Sequence, residues 1–277
     1  VSASQVIAMD EGSTALRRKP NASVKVAAEV VANGEAAAFF SAGNTGATLI
    51  AAHSVFGMMP GVDRPALATT IPTRHRDAVL LDVGATIDCR PRHLLQFAAM
   101  GTVYAERVLG IKNPRVGLLS IGEEAIKGNE LTRDAHHLLS SSDIRFIGNL
   151  EARDLYSGDA DVVVCDGFTG NVALKVSEGL VEVFEDLLRD ELSRTFTTQL
   201  GYLLSRRSYR RFRRRVDYSE YGGAPLLGVA GLAVVGHGRS SVKAVRNALA
   251  LTHRFVNEDF VQSIDESMSS LSSERRN

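Results

Sequence analysis

Short apolar runs, each closed within a few residues by Gly, Asn or Asp, recur along the chain with helical stretches between them. The clearest span Ala37 to Ser41, Ala78 to Asp82, Val116 to Ile121, Ile144 to Ile147 and Asp161 to Cys165. This is the pattern of parallel strands buried on both faces by crossover helices, and it predicts an α/β fold. From Val181 to Val216 the pattern changes. Phe196, Leu200, Leu203 and Leu204 recur at helical spacing, and seven arginines follow between positions 206 and 215, so a helical excursion from the body is expected. The stretch from Ser263 to Asn277 is rich in serine and charge and is expected to fray. No internal repeat or proline-rich linker divides the chain, so residues 1–277 are expected to form a single α/β/α catalytic domain carrying the excursion within it.

With 277 residues and 44% apolar content, a full core can be buried. Lysine plus arginine (32) balances aspartate plus glutamate (32), so no global field draws the protein to nucleic acid. Any electrostatic partner must be met by a local patch. The two cysteines are Cys89 and Cys165, and the second closes the run Val162-Val163-Val164, which argues against a disulfide framework and for a reducing cytoplasm. No stretch approaches the roughly 20 apolar residues of a spanning helix, and the first residues lack the order of a signal peptide. Val1 and its neighbours read as the interior of a longer protein.

Four polar motifs fall at predicted strand ends: SAGNTGA (41–47), DVGAT (82–86), IGEEAIKGN (121–129) and CDGFTGN (165–171). Ligands of open α/β sheets bind outside the carboxyl ends of the strands. A lone glycine turn there is ordinarily structural, because glycine tolerates positive φ; four carrying Asn, Thr, Lys and Asp point to a site. In the first, Gly43 and Gly46 allow close approach and Asn44 and Thr45 add uncharged donors at a helix N-terminus, a cradle for phosphate or an oxyanion. It matches neither a P-loop nor a dinucleotide fingerprint, so no nucleotide cofactor is expected. Asp82 and Gly84 belong to the second loop. Lys127, followed by Gly128 and Asn129, either pairs with Glu123 four residues earlier on a helix or supplies positive charge to phosphate. In the fourth loop Asp166 can cap a helix, with Gly167, Thr169, Gly170 and Asn171 at its start. His237 lies in a late loop, structural or catalytic. His136 and His137 have no acidic partner at metal spacing, and no metal site is expected. No nucleophile elbow or Cys–His pair suggests a covalent acyl-enzyme, so direct attack by a bound nucleophile is the simpler mechanism.

Taken in order, SAGNTGA, RPALATTIPT, LLDVGA, HLLQFAAMGTVYAERVLGIKNPRVGLLSIGEE, KGNEL, VVVCDGFTGNVALK, YGGAPLLGV and HG resemble the phosphate acyltransferases of bacterial phospholipid synthesis, the PlsX family. The resemblance runs from about Ile7 to about Leu251. It implies attack of inorganic phosphate on an acyl-carrier-protein thioester to give an acyl phosphate. It also implies a three-layer α/β/α sandwich like that of isocitrate and isopropylmalate dehydrogenases and phosphotransacetylase, usually as a homodimer. The family's lysine falls on Lys127 and its asparagine on Asn171, both needed for turnover. The excursion resembles the segment these enzymes use to touch the bilayer and the carrier protein. On that reading Arg206, Arg207, Arg210, Arg211, Arg213 and Arg214 meet anionic headgroups or the acidic carrier, giving peripheral membrane association; a solvated arginine face is the alternative. The chain departs from the family at Thr86, where asparagine is usual, and in lacking a counterpart to the N-terminal Asp-Ala-Met-Gly-Gly-Asp motif. A phosphotransacetylase-like use of short acyl-CoA and an inactive scaffold are the competing expectations.

Overall fold

The computed structural model describes residues 1–12, 14–216 and 222–273. Its elements run α1 (Ala15–Arg18), α2 (Ser23–Ala32), β1 (Phe39–Ser41), α3 (Thr45–Phe56), β2 (Ala66–Ile71), β3 (Ala78–Leu81), α4 (Pro91–Arg107), β4 (Val116–Leu119), α5 (Glu130–Ser140) and β5 (Phe146–Leu150). After a 3-10 turn (Ala152–Tyr156) come β6 (Val162–Val164), α6 (Gly167–Ser193), α7 (Phe196–Val216), β7 (Ala224–Leu227), β8 (Ala233–Val235), α8 (Val242–Asn257) and α9 (Phe260–Ser273).

The strands form one sheet in the order β1-β8-β7-β2-β3-β6-β4-β5. Side chains alternate across it as the pleat requires. Val162 and Val164 of β6 and Val79 and Leu81 of β3 join the core beneath α4, whereas Val163, Ala78 and Leu80 join the core of the opposite face. Helix α4 is the buried centre of the first layer, with Leu94, Phe97, Met100 and Tyr104 fully enclosed. Gly101 lets it come close, since a Cβ there would lie 2.6 Å from a Val162 methyl. Helices α2 and α3 pack together on the other face, completing three layers, an α/β/α sandwich.

The sheet is mixed rather than all parallel. β3, β6, β4 and β5 run together and β1 runs with β8, but β2 opposes both β3 and β7, and β7 opposes β8. Strands β2, β7 and β8 escape the sequence pattern because Pro65 and Pro72 bracket the first, Pro225 lies inside the second and the third is only the end of an apolar stretch. The expected fray from Ser263 is corrected over residues 263–273. That segment is α9, and it docks through Phe260, Ile264 and Met268, with the Phe260 ring 4.6 Å from Phe255 and 5.8 Å from Tyr104. Serine and charge lie between the apolar positions and hide their helical period. Residues 274–277 lie outside the described residues. Among the described residues no helix is long and apolar enough to cross a membrane.

Candidate active site

Two helix N-termini build the site, and their local chemistry differs. At α6 the chain leaves β6 through Asp166, whose carboxylate caps the helix by accepting from the Thr169 N–H (2.9 Å) and the Thr169 hydroxyl (2.7 Å). Gly167 and Gly170 serve packing. A Cβ at Gly167 would lie 2.6 Å from the Asp82 carboxylate, and one at Gly170 would run into the Asp82 carbonyl oxygen. The helix start therefore rests on loop 82–86. Asp82, buried, organises that loop by accepting from the N–H groups of Leu67 (2.8 Å), Gly84 (3.1 Å), Ala85 (3.0 Å) and Thr86 (2.6 Å). Burial pushes its carboxyl up to about 6, against the pull of those donors. Thr86 turns inward, its hydroxyl donating to the Pro65 carbonyl at 2.8 Å. Asn171 lies one turn into α6, exposed, with its side chain over Gly84, and among the described residues nothing meets its amide.

At α3 the asparagine is consumed by the fold. Asn44 Oδ1 accepts from the Ala47 N–H (2.9 Å), and Nδ2 donates to the carbonyls of Ala8 (3.0 Å), Met9 (3.3 Å) and Glu11 (2.8 Å). Ser41 Oγ lies 2.9 Å from Thr48 Oγ1 and accepts from the Gly43 N–H at 3.3 Å. The first two helical N–H groups, on Thr45 and Gly46, meet no acceptor among the described residues, which leaves the α3 N-terminus open to an anion.

Both N-termini open on a cavity of about 990 Å³. Thr45, Gly46, Gly84, Asn171, Lys175 and His237 line it, and the walls are mostly apolar: Leu67, Ile71 and Val83 from the sheet region, Leu174, Val181 and Phe184 from α6, Phe212 and Val216 from α7. Because β1 opposes β3 and β6, the loops meet along β2 and not at one common carboxyl edge. His237 Nδ1 accepts from the Arg239 N–H at 3.2 Å. Burial pushes the Cys89 thiol up to about 12, and Cys165 is raised as well, so neither is a ready nucleophile.

Lys127 does not line this cavity. Residues 121–129 form turns and not a helix, so the Glu123–Lys127 pair, the alternative to a phosphate role for Lys127, is absent among the described residues; Glu123 lies 4.0 Å from Arg153 instead. Lys127 is exposed, on the loop after β4, which neighbours β6 in the sheet. The Gly128 carbonyl accepts from Arg133 Nη1 (2.7 Å), and Asn129 caps α5 by accepting from the Thr132 N–H (2.9 Å). The arginines 206, 207, 210, 211, 213 and 214 are exposed on α7, and Arg213 pairs with Glu185 of α6 at 3.1 Å.

Three cationic side chains at the cavity escaped sequence reasoning, Arg74, Lys175 and Arg215. Lys175 lines the cavity one turn beyond Asn171, paired with Glu178 at 2.8 Å; its signal was the four-residue spacing. Arg215, also at the cavity, donates to the carbonyls of Thr73 (2.7 Å) and Arg74 (2.8 Å), fastening the end of α7 to the β2–β3 turn. Nothing in the arginine run distinguished it from its neighbours.

A profile of the fatty acid synthesis protein family matches residues 1–263. The phosphate acyltransferase of Geobacter sp. (strain M21) is 50% identical over 270 residues, 96% of this chain and 77% of that protein. That of Heliobacterium modesticaldum is 51% identical over 267 residues, 96% and 80% respectively. In solved structures, a phosphotransacetylase from Streptococcus pyogenes aligns with a TM-score of 0.57 at 16% identity, covering 84% of this chain and 67% of that one. A branched-chain phosphotransacylase from Enterococcus faecalis aligns with 0.56 at 14%, covering 84% and 78%. At these identities the likeness concerns the fold alone. A three-layer sandwich with a polar-headed, apolar-walled cavity suits an acyl-handling transferase. The chain belongs to the fatty acid synthesis protein family and is a phosphate acyltransferase, an enzyme of acyl transfer to phosphate in fatty acid and phospholipid synthesis.

Proposed function

We propose that the acyl donor is a long-chain acyl-carrier-protein thioester and that the 990 Å³ cavity holds its acyl end beside inorganic phosphate. One observation carries this reading: open helical N–H groups and an unengaged amide stand at the head of a cavity whose remaining wall is mostly apolar, with Leu174, Val181 and Phe184 of α6 along it. Thr45 and Gly46 offer paired backbone donors and the α3 dipole to phosphate, or to the carbonyl oxygen it attacks. The Asn171 amide, across Gly84, donates to the other. A phosphate oxygen adds to the thioester carbon, the C–O bond forms, the C–S bond breaks, and the carrier protein's thiolate leaves without a strong general acid. Lys127, exposed on the loop after neighbouring β4 and outside the cavity lining, supplies the charge that draws phosphate toward the head. The protein works in the cytoplasm as a homodimer, and the exposed arginines of α7 meet the acidic carrier and an anionic membrane surface.

The test is acyl phosphate formation from long-chain acyl-carrier protein and from acetyl-CoA, with wild type, Lys127→Ala and Asn171→Ala. We expect the carrier-protein substrate to dominate and each variant to lose about 100-fold or more in kcat/KM with the thermal midpoint unchanged. Preference for acetyl-CoA overturns the donor; normal turnover in both variants overturns the residue roles.

A further inference from the structure

The apolar wall does not end at the main cavity. On α6, Leu174, Val181 and Phe184 line it beyond Asn171, with the Lys175–Glu178 ion pair between Leu174 and Val181; Val181 and Phe184, followed by Leu188 and Leu192, then line a second cavity of about 680 Å³. On α7, Phe212 and Val216 belong to both cavities, and Tyr209 and Tyr202 continue along the second. One groove thus follows the helical hairpin from its polar head toward its tip, and Phe184 and Phe212 stand where its two compartments meet.

Length gives that junction a meaning. From Asn171 to Phe184 the helix climbs about 20 Å, at about 1.5 Å per residue. An extended acyl chain advances about 1.3 Å per bond, set by a C–C bond near 1.5 Å, so about sixteen carbons cover the same distance. Phe184 is 61% exposed and Phe212 56%, so both rings present apolar surface that a bound chain would remove from water.

We propose that the groove between α6 and α7 is the acyl-chain subsite and that Phe184 and Phe212 gauge its length. Chains of up to about sixteen carbons end against the two rings, and longer ones must displace them to enter the outer compartment. This rests on the reading that the donor carries a long acyl chain. Continuity with the cavity head favours an acyl chain over the other apolar occupants, a bilayer or a second copy of this chain.

The chain contains no tryptophan, so Phe184→Trp places a single indole at the junction. Fatty acids brominated at the terminal carbon serve as quenchers. We expect strong quenching by a chain of about sixteen carbons and at least fivefold weaker quenching by one of about eight. In parallel, Phe184→Ala should move the kcat/KM optimum for acyl-carrier-protein substrates toward longer chains by at least tenfold in the ratio of long to medium. An unchanged optimum together with equal quenching at all lengths overturns the gauge. Quenching only by bromolipid vesicles, or a change of oligomeric mass in Phe184→Ala without a change of optimum, assigns the groove to a bilayer or a second copy and likewise overturns it. Should wild type not turn over carrier-protein substrates, the donor reading fails, while the length series with free fatty acids still decides the groove.

Discussion

The starts of α3 and α6 look alike in sequence, each a glycine-bearing turn with asparagine and threonine after a short strand, yet they divide their labour in opposite ways. At α3 the asparagine is both cap and tie, its Oδ1 accepting from Ala47 and its N–H groups spent on the carbonyls of segment 8–11, so that only backbone donors remain for a ligand. At α6 the capping falls to Asp166, the close approach to Gly167 and Gly170, and the asparagine is left over. A side chain is available for chemistry where another residue has already met the helix's orphan N–H groups. Residue type at a strand end therefore says less than which neighbour does the capping.

The contrast can be broken experimentally. The largest effect is expected at Gly170→Ala, where the new methyl meets the Asp82 carbonyl and α6 must lift off loop 82–86: a loss of about 3 kcal/mol or failure to accumulate as folded protein. A urea midpoint within error of wild type would show that the helix start has slack. Next comes Asn44→Ala, which removes a cap and three ties at a cost of about 2 kcal/mol in urea unfolding. Its kcat/KM should stay within about threefold of wild type, the reverse of the split expected at Asn171; a loss in turnover with unchanged stability would place Asn44 at the ligand after all.

The smallest effect is one of pH. The folded carboxyl of Asp82 is raised from 3.8 to about 6, so its contribution to stability is full below 3.8 and lost as pH rises through 6. Between pH 5 and 7 wild type should therefore lose stability relative to Asp82→Asn by on the order of 1 kcal/mol. The difference between wild type and Asn44→Ala, where neither side chain titrates, should stay flat. A flat line for Asp82 as well would mean that its four N–H donors hold the charge unaided.

Much of the body was legible because burial on both faces writes continuous apolar runs: each of the five strand expectations overlaps an observed strand, four of them too long by one or two residues at an end and the fourth in chain order, 144–147, displaced to Phe146–Leu150. What escaped was antiparallel and interrupted. β2 and β7 carry proline at or beside their ends, and their reversal moves the site from a strand edge to the flank of β2. At the site, the loops could be found from their glycines, but the occupations of Asn44, Asp82 and Thr86 depend on carbonyls and N–H groups up to 36 residues away, which no local pattern encodes. Lys175 and Arg215 were visible only as members of helical series whose facing neighbours were unknown.

The hairpin is fastened at one end. α6 is rooted through Asp166 and loop 82–86, α7 through Arg215 on the β2–β3 turn, and no side chain of α7 is buried. Mechanically the pair is a cantilever some 40 Å long by the rise of a 27-residue helix, clamped at the sheet and loaded at its tip. Deflection in such a beam grows with distance from the clamp, so amide exchange should quicken steadily toward residues 193–196 while the base stays protected. A force applied at the tip, by whatever docks there, arrives at the clamp as torque on the few carbonyls that Arg215 holds.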